Sequence, residues 1–383
     1  MSTIKADTIK NKKSLAINLP NKLKIGGFLV EQGYTASGTE PSSPAIGDFW
    51  WDTANEKLYR YVNGEFKEFT LATLTSSANH GDKSARAGFG TANSNSIHTT
   101  NIATLGNASD WKDLTRSFAR GAAASNSIYG FFFGGNPSGS NGAADVNIID
   151  YFAFANDNNA TDFGDLTSES SDNSACASTE RACIMLGANN SASTTYVNSI
   201  DYITMATPGN AQDFGNLTTP RMSVGANCSI CNLTRGVFGG GYNSTNTSGI
   251  NIIDYITIAT TGNATDFGDL TAAGYGICGT GTGTGDRGLF AGGYPTGRYN
   301  VLEYITVSTT GNATTFGSVW AGISPDYYGG ASNNATRAIF NAPWSNNNIE
   351  YVTMATTGNA ADFGDQVASS NNHYQACTSG NAS

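Results

Sequence analysis

Thr261-Gly-Asn-Ala-Thr-Asp-Phe-Gly-Asp-Leu270 decides how most of the chain folds, because it is one of six copies of a single element. The aromatic residue of each copy falls at Trp111, Phe163, Phe214, Phe267, Phe316 and Phe363, at spacings of 52, 51, 53, 49 and 47 residues. Four residues before each aromatic stands an asparagine: Asn107, Asn159, Asn210, Asn263, Asn312 or Asn359. An alanine follows every one of them. Thirteen residues before the aromatic lies an acid followed by tyrosine in five copies, at Asp150, Asp201, Asp254, Glu303 and Glu350. A fixed period of this length signals repeated units that bury their apolar faces against one another.

Within each period the pattern predicts four short strands. In the fourth copy they read as 224–229, 235–240, 252–259 and 265–270, the third rich in β-branched residues. The Thr-Gly-Asn-Ala element reads as a tight turn, since Gly and Asn tolerate positive φ. Four strands per unit of about 50 residues is the pattern of a propeller blade. The expected fold is all-β, a six-bladed β-propeller over residues 76–383. Residues 372–380 read as one extra first strand, and Arg86-Ala-Gly-Phe-Gly90 as a second strand without a first. The two fragments are expected to complete one blade, so that the C-terminal strand closes the ring and leaves no open edge.

The second strands resemble kelch repeats where they end in paired glycines, at Phe133-Gly-Gly135, Phe238-Gly-Gly240 and Ala291-Gly-Gly293. The other copies depart from that pattern at Gly90-Thr91, Gly187-Ala188 and Asn341-Ala342. The resemblance implies a binding scaffold, not an enzyme. Residues 25–75 lie outside the repeat and read as a small antiparallel β module with an Asn63-Gly64 hairpin turn. There Pro44-Ala-Ile-Gly-Asp-Phe-Trp50 precedes Leu58-Tyr-Arg-Tyr-Val-Asn-Gly64. This pairing resembles a module of tailed-bacteriophage tail fibres and related virion proteins, and Met1-Ser-Thr-Ile-Lys-Ala-Asp-Thr-Ile-Lys10 is similar to the opening of many such fibres. The resemblance implies a virion location and other virion proteins as partners. It also implies an attachment segment over residues 1–24, in which Lys5, Lys10, Lys12 and Lys13 face an acidic neighbour, and it is compatible with a homo-oligomer.

Charge and composition narrow the function classes. Among 383 residues, 20 Lys and Arg stand against 30 Asp and Glu, a net charge of −10. Residues 1–24 carry six Lys and one Asp, so the remainder is clearly acidic. Nucleic-acid affinity comes mainly from neutralising phosphates, so no nucleic-acid partner is expected. No apolar run approaches the roughly 18 to 20 residues of a membrane span, and residues 1–24 lack the apolar core of a secretion signal. Neither membrane insertion nor secretion is expected.

Catalytic residues, a metal and a cofactor are likewise not expected. Cys176, Cys228, Cys278 and Cys377 fall where each blade's innermost strand should run, so all six cysteines are read as small buried thiols. Cys228-Ser-Ile-Cys231 lacks the second ligand pair that zinc needs. The histidines, His80, His98 and His373, form no ligand-spaced pair. An arginine is expected to begin the second strand in five blades, at Arg86, Arg181, Arg235, Arg287 and Arg337. A carboxylate-gripping ring of the sialidase kind would also need a Tyr nucleophile and Ser-x-Asp-x-Gly-x-Thr-Trp boxes, and no such box occurs. The arginines are therefore expected to be structural and to pair with the acid of the acid-Tyr step. The sequons at Asn107, Asn159, Asn263 and Asn312 follow from the repeat, not from glycosylation.

In an up-and-down blade the connections from strand two to three, and from strand four to the next blade, emerge on one face. The turn from three to four emerges on the other. That turn hardly varies among the copies, whereas the two-to-three loops at 136–145, 189–198, 242–251, 294–300 and 341–348 vary widely. These loops carry Tyr196, Tyr242, Tyr294, Tyr299 and Trp344 among Asn, Ser and Gly, and the interblade connections add Trp320 and Tyr327. Aromatic faces beside amides and hydroxyls make adaptable recognition loops. The expected function is a bacteriophage tail fibre or appendage whose propeller recognises a host-surface glycan or protein. The alternative is a purely structural virion component, a nozzle, spacer or capsid decoration.

Overall fold

A computed structural model describes residues 23–25, 28–30, 34–44, 48–52, 54, 57–62, 64–68, 81–88, 94–137, 144–188, 196–224, 227–243, 245, 249–282, 286–294, 300–320, 329–342, 347–367 and 375–380. Lys5, Lys10, Lys12 and Lys13 lie outside them, as do Tyr299, Tyr327, Trp344, His80 and His373. The chain divides into two compact units, residues 1–74 and 75–383. Every regular element among the described residues is a strand.

In the first unit Leu23–Ile25 pairs with Phe28–Val30. A separate four-stranded sheet follows in chain order, Tyr34–Ser37, Phe49–Asp52, Lys57–Val62 and Glu65–Glu68. The strands from Phe49 to Glu68 pair antiparallel as expected, whereas Tyr34–Ser37 joins them in parallel. A parallel pair demands a crossover between its strands instead of a tight turn back. Val62 opposes Glu65, so the last hairpin turns in two residues with Gly64 at φ +90°. Trp50 is buried, stacked on Tyr59 at 4.9 Å and edge-on to Phe66 at 5.4 Å.

The second unit is the six-bladed β-propeller, six four-stranded antiparallel sheets in chain order. Blade two is Ala122–Ser125, Tyr129–Phe133, Ile148–Ala153 and Thr161–Asp165. Blades three to six repeat that plan. Blade one is composite, with the C-terminal strand Ala376–Gly380 paired to Lys83–Ala87, then Ser96–Asn101 and Ser109–Asp113. The ring is closed by the end of the chain. First strands are short and made mostly of Ala, Ser, Cys and Gly because they converge on the axis, where those of blades two to five are wholly buried. Second strands are buried at four of five positions, because both of their faces meet a neighbouring blade.

The register of blade one corrects the arginine assignment. Lys83 opposes Asn101 as Arg181 opposes Thr204, so Lys83, not Arg86, begins that second strand. Nor do the strand-initial arginines pair with acids. Arg181, Arg235, Arg287 and Arg337 lie 4.3 to 4.6 Å over the ring of Tyr202, Tyr255, Tyr304 and Tyr351. Each donates to a carbonyl of the next blade, at Ile258, Val307, Met354 and Ile102. The last of these crosses from blade six to blade one. Each tyrosine also meets the motif phenylalanine of its own blade edge-on, near 6 Å, in the cation–π and aromatic contacts typical of half-buried rings.

The acids of the acid-Tyr step serve the junctions instead. Thr115, Thr167, Thr218 and Thr271 donate hydroxyls to Asp150, Asp201, Asp254 and Glu303 of the following blade, at 2.6 to 2.8 Å. At the fifth junction the Trp320 amide donates to Glu350 at 2.6 Å. Burial pushes the carboxyls of Asp150, Asp201 and Glu350 up, and these hydrogen bonds pull them back down.

The motif asparagine has a different role from the one its turn position suggests. None of the six motif asparagines is at positive φ. The Oδ1 atoms of Asn107, Asn159, Asn210, Asn263, Asn312 and Asn359 accept the amides of Asp365, Asp113, Asp165, Asn216, Asp269 and Ser318 of the preceding blade, at 2.9 to 3.1 Å. The following alanine donates its amide across the same junction at all six places. Glycine after the motif aromatic permits this approach. At Gly164, Gly215, Gly268 and Gly364, φ lies between +146° and +150°, and a Cβ would stand 2.4 to 2.6 Å from the backbone of the next blade's turn. Asn263→Ala should lower stability by about 0.5–1.5 kcal/mol. Asn263→Asp, which keeps the acceptor, should lose less; equal urea midpoints for Asn263→Ala and the parent would refute the role.

Candidate functional site

The face carrying the variable loops is built up from pinned loop bases. Ser171 and Ala188, Met222 and Tyr242, and Tyr275 and Tyr294 each exchange two backbone hydrogen bonds of 2.8 to 3.1 Å. Each bond pair ties the connection entering a blade to that blade's two-to-three loop. On these bases stand Tyr196, Tyr242, Tyr275 and Tyr294, all half-buried. Their rings touch in succession, with centroids 5.8, 5.1 and 5.3 Å apart and planes inclined at 70°, 76° and 50°. The four form one arc over blades three, four and five. Mutual edge contacts of about 0.5–1.5 kcal/mol each hold the rings before any partner arrives, which lowers the ordering cost of binding. Burial pushes the Tyr196 phenol up, reinforced by the Tyr242 hydroxyl beside it.

Strained corners support the arc. Arg120, Asp172 and Gly276 occupy the same place in their repeats at φ 58°, 55° and 64°, and Val224 lies one residue beyond that place in blade four at 61°. A β-branched residue in this region is a genuine outlier, and strain of about 1–3 kcal/mol per residue persists only where surroundings enforce it. Arg120 Nε donates to Asp172 Oδ1 at 3.1 Å. The Asp172 carbonyl accepts the amide of Ser223 at 2.9 Å and its hydroxyl at 2.7 Å. Arg221 and Asp254, neither with any exposed side-chain surface, pair at 2.7 Å next to Met222. Both arginines beneath this face are thus already committed to carboxylates.

Among the sequence-predicted contact residues, Tyr196, Tyr242 and Tyr294 are brought together, and Tyr275 joins them. Tyr275 stands in an interblade connection between two glycines, and that flanking resembles the glycines before Tyr294. Trp320 requires a correction, because it is 2% exposed and packs in the core of blades five and six. It takes the place of the threonine at the other junctions, so its amide faces Glu350 and its indole turns inward to fill the gap.

The axis offers little room. Inner strands of all six blades line a cavity of about 30 Å³, space for roughly one or two waters. Hydroxyls and amides bridge the strands there: Ser125 to Ser379 at 2.7 Å, Ser379 to Asn333 at 2.6 Å, and Asn227 to Ala123 at 3.1 Å. All six cysteines are unpaired and buried. Burial pushes the Cys231 thiol up to about 11 and that of Cys377 up to about 12, so they are protonated at neutral pH. Among the described residues no three His, Cys, Asp or Glu side chains are placed to hold a metal ion. No protein-family model matches the chain, and no curated protein is detectably similar to it.

Proposed function

We propose that the protein is a bacteriophage virion component, a tail fibre or tail appendage, whose propeller recognises the host surface through Tyr196, Tyr242, Tyr275 and Tyr294. The observation carrying this proposal is the arc itself: four touching, half-buried tyrosines on the face where the loops vary. The opposite face is occupied by the asparagine hydrogen bonds that hold the ring together. A scaffold closed on one face and variable on the other suits recognition, since loop chemistry can change without disturbing the core. The virion assignment is supported by the resemblance of residues 1–70 to tail-fibre modules, and a binding role by the kelch-like glycine pairs. The partner is a glycan or a protein of the host surface, and other virion proteins engage the N-terminal region.

The double substitution Tyr242→Ala/Tyr294→Ala tests it. One binding hot-spot aromatic contributes about 2 kcal/mol or more, so adsorption of particles to host cells should fall at least about tenfold. The backbone pairs at both positions persist, so the propeller should still fold, its stability lowered only by the lost ring contacts of about 0.5–1.5 kcal/mol each. If the substitution blocks incorporation into particles while those that assemble adsorb normally, the face is an assembly surface. A structural nozzle, spacer or decoration protein would then be the better description.

A further inference from the structure

The junction between blades six and one differs in charge from the other five. Where Asp150, Asp201, Asp254, Glu303 and Glu350 stand opposite Phe132, Ile184, Phe238, Phe290 and Phe340, blade one sets His98 opposite Arg86. The buried acid is gone and a guanidinium replaces the apolar side chain. Arg86 has no exposed surface. Its Nη2 donates to Thr100 Oγ1 at 2.9 Å and its Nη1 to Asn341 Oδ1 of blade six, both neutral acceptors. The other two buried arginines, Arg120 and Arg221, each face a carboxylate. For Arg86 no carboxylate lies within ion-pair distance among the described residues.

Among the described residues no carboxylate neutralises this charge. Burial pushes Arg86 down only to about 10, so it is still protonated at neutral pH, while the neighbouring Cys377 thiol, pushed up to about 12, is not ionised. Burying an unpaired ion costs several kcal/mol. Two donors are left over on the same side of the same strand. Arg86 Nε and, two residues earlier, Ser84 Oγ are buried without a hydrogen-bond partner among the described residues. The junction is tight, since a Cβ on Gly330 would stand 2.3 Å from Cys377 Sγ.

We propose that the ring-closing junction binds one small inorganic anion, of the size and charge of chloride, against Arg86 Nε and Ser84 Oγ. The anion supplies there the negative charge that a buried Asp or Glu supplies in the other blades.

The test uses the full chain at constant ionic strength, with sodium gluconate exchanged for sodium chloride. The melting temperature should rise with chloride and follow a saturating curve, as the unfolding equilibrium constant falls by a factor of one plus the ratio of chloride to Kd. The chloride dependence should vanish in Arg86→Met and move to higher chloride in Ser84→Ala. Crystals grown in bromide should show one anomalous peak against Arg86 Nε. Melting that responds equally to chloride and gluconate, or an unchanged chloride dependence in Arg86→Met, overturns the proposal. A bromide peak without chloride-dependent melting marks an adventitious ion only and overturns it too. Should Arg86→Met fail to fold, the bromide crystals of the parent protein decide, and no peak at Arg86 ends the idea.

Discussion

A chain lacking residues 372–383 is expected to lose cooperative melting and to aggregate. The missing segment contains the whole first strand of blade one, whose five residues pair from Ala376 opposite Ala87 to Gly380 opposite Lys83. Each ladder hydrogen bond contributes about 0.5–1.5 kcal/mol net. Ser379 also ties blade one to blades two and six. Without the strand, Arg86 and the edge of Lys83–Ala87 would face solvent as an unpaired template for other chains. The total approaches the 5–15 kcal/mol that typically separates folded from unfolded chains. Calorimetry and size-exclusion chromatography check this, and a synthetic peptide covering 375–383 should restore the transition. Unchanged melting and a monodisperse truncated protein would show that the ring does not depend on its closing strand.

Arg221→Ala should cost about 3–5 kcal/mol, the penalty for leaving a buried charge without its partner. Arg221 donates to Asp254 at 2.7 Å and to the Phe238 carbonyl at 3.2 Å, and Asp254 further accepts the amide and hydroxyl of Thr218. The threonine bonds remain after the substitution, but they do not balance the carboxylate's charge. Arg221→Met/Asp254→Leu should recover most of the loss, because a well-packed apolar pair removes the charge itself. Urea titration measures both. A single-variant cost under about 1 kcal/mol would mean that water or a relaxed neighbour reaches Asp254. Since a Cβ on Gly241 would lie 3.1 Å from Arg221 Cδ, and Met222 pins Tyr242, Arg221→Ala should also loosen the middle of the tyrosine arc.

The propeller was legible in the sequence because its period is carried by residues that cannot be exchanged freely: an aromatic that fills the blade, a glycine that lets the next turn approach, and an asparagine. What those residues bond to was not legible. Asn263 looks like a turn residue on its own, and its acceptor role exists only once blade three presents the Asn216 amide. The second strand of blade one starts three residues earlier than Arg86 suggests, at Lys83, which lies 3.6 Å over Trp111, while Lys112 donates to the Ala153 carbonyl of the next blade. On the face of the variable loops the tyrosines could be picked out by composition. Tyr275 could not, since no other interblade connection has an aromatic between glycines, and Trp320 was misjudged because its burial depends on the threonine place it occupies. The parallel pair in the first unit was hidden in a connection whose length alone separates a crossover from a hairpin.

The composite blade bears on how the molecule carries load. Lys83–Ala87 is the strand through which the chain enters the propeller, and it is hydrogen-bonded on both sides, to Ala376–Gly380 and to Ser96–Asn101. Tension arriving through residue 81 therefore runs along a strand gripped by two antiparallel neighbours. The bonds of both ladders lie across the pull and must be sheared together, whereas a hairpin pulled at its open end unzips bond by bond. The entry strand that the C-terminus locks in place thus resists such a pull through two ladders at once.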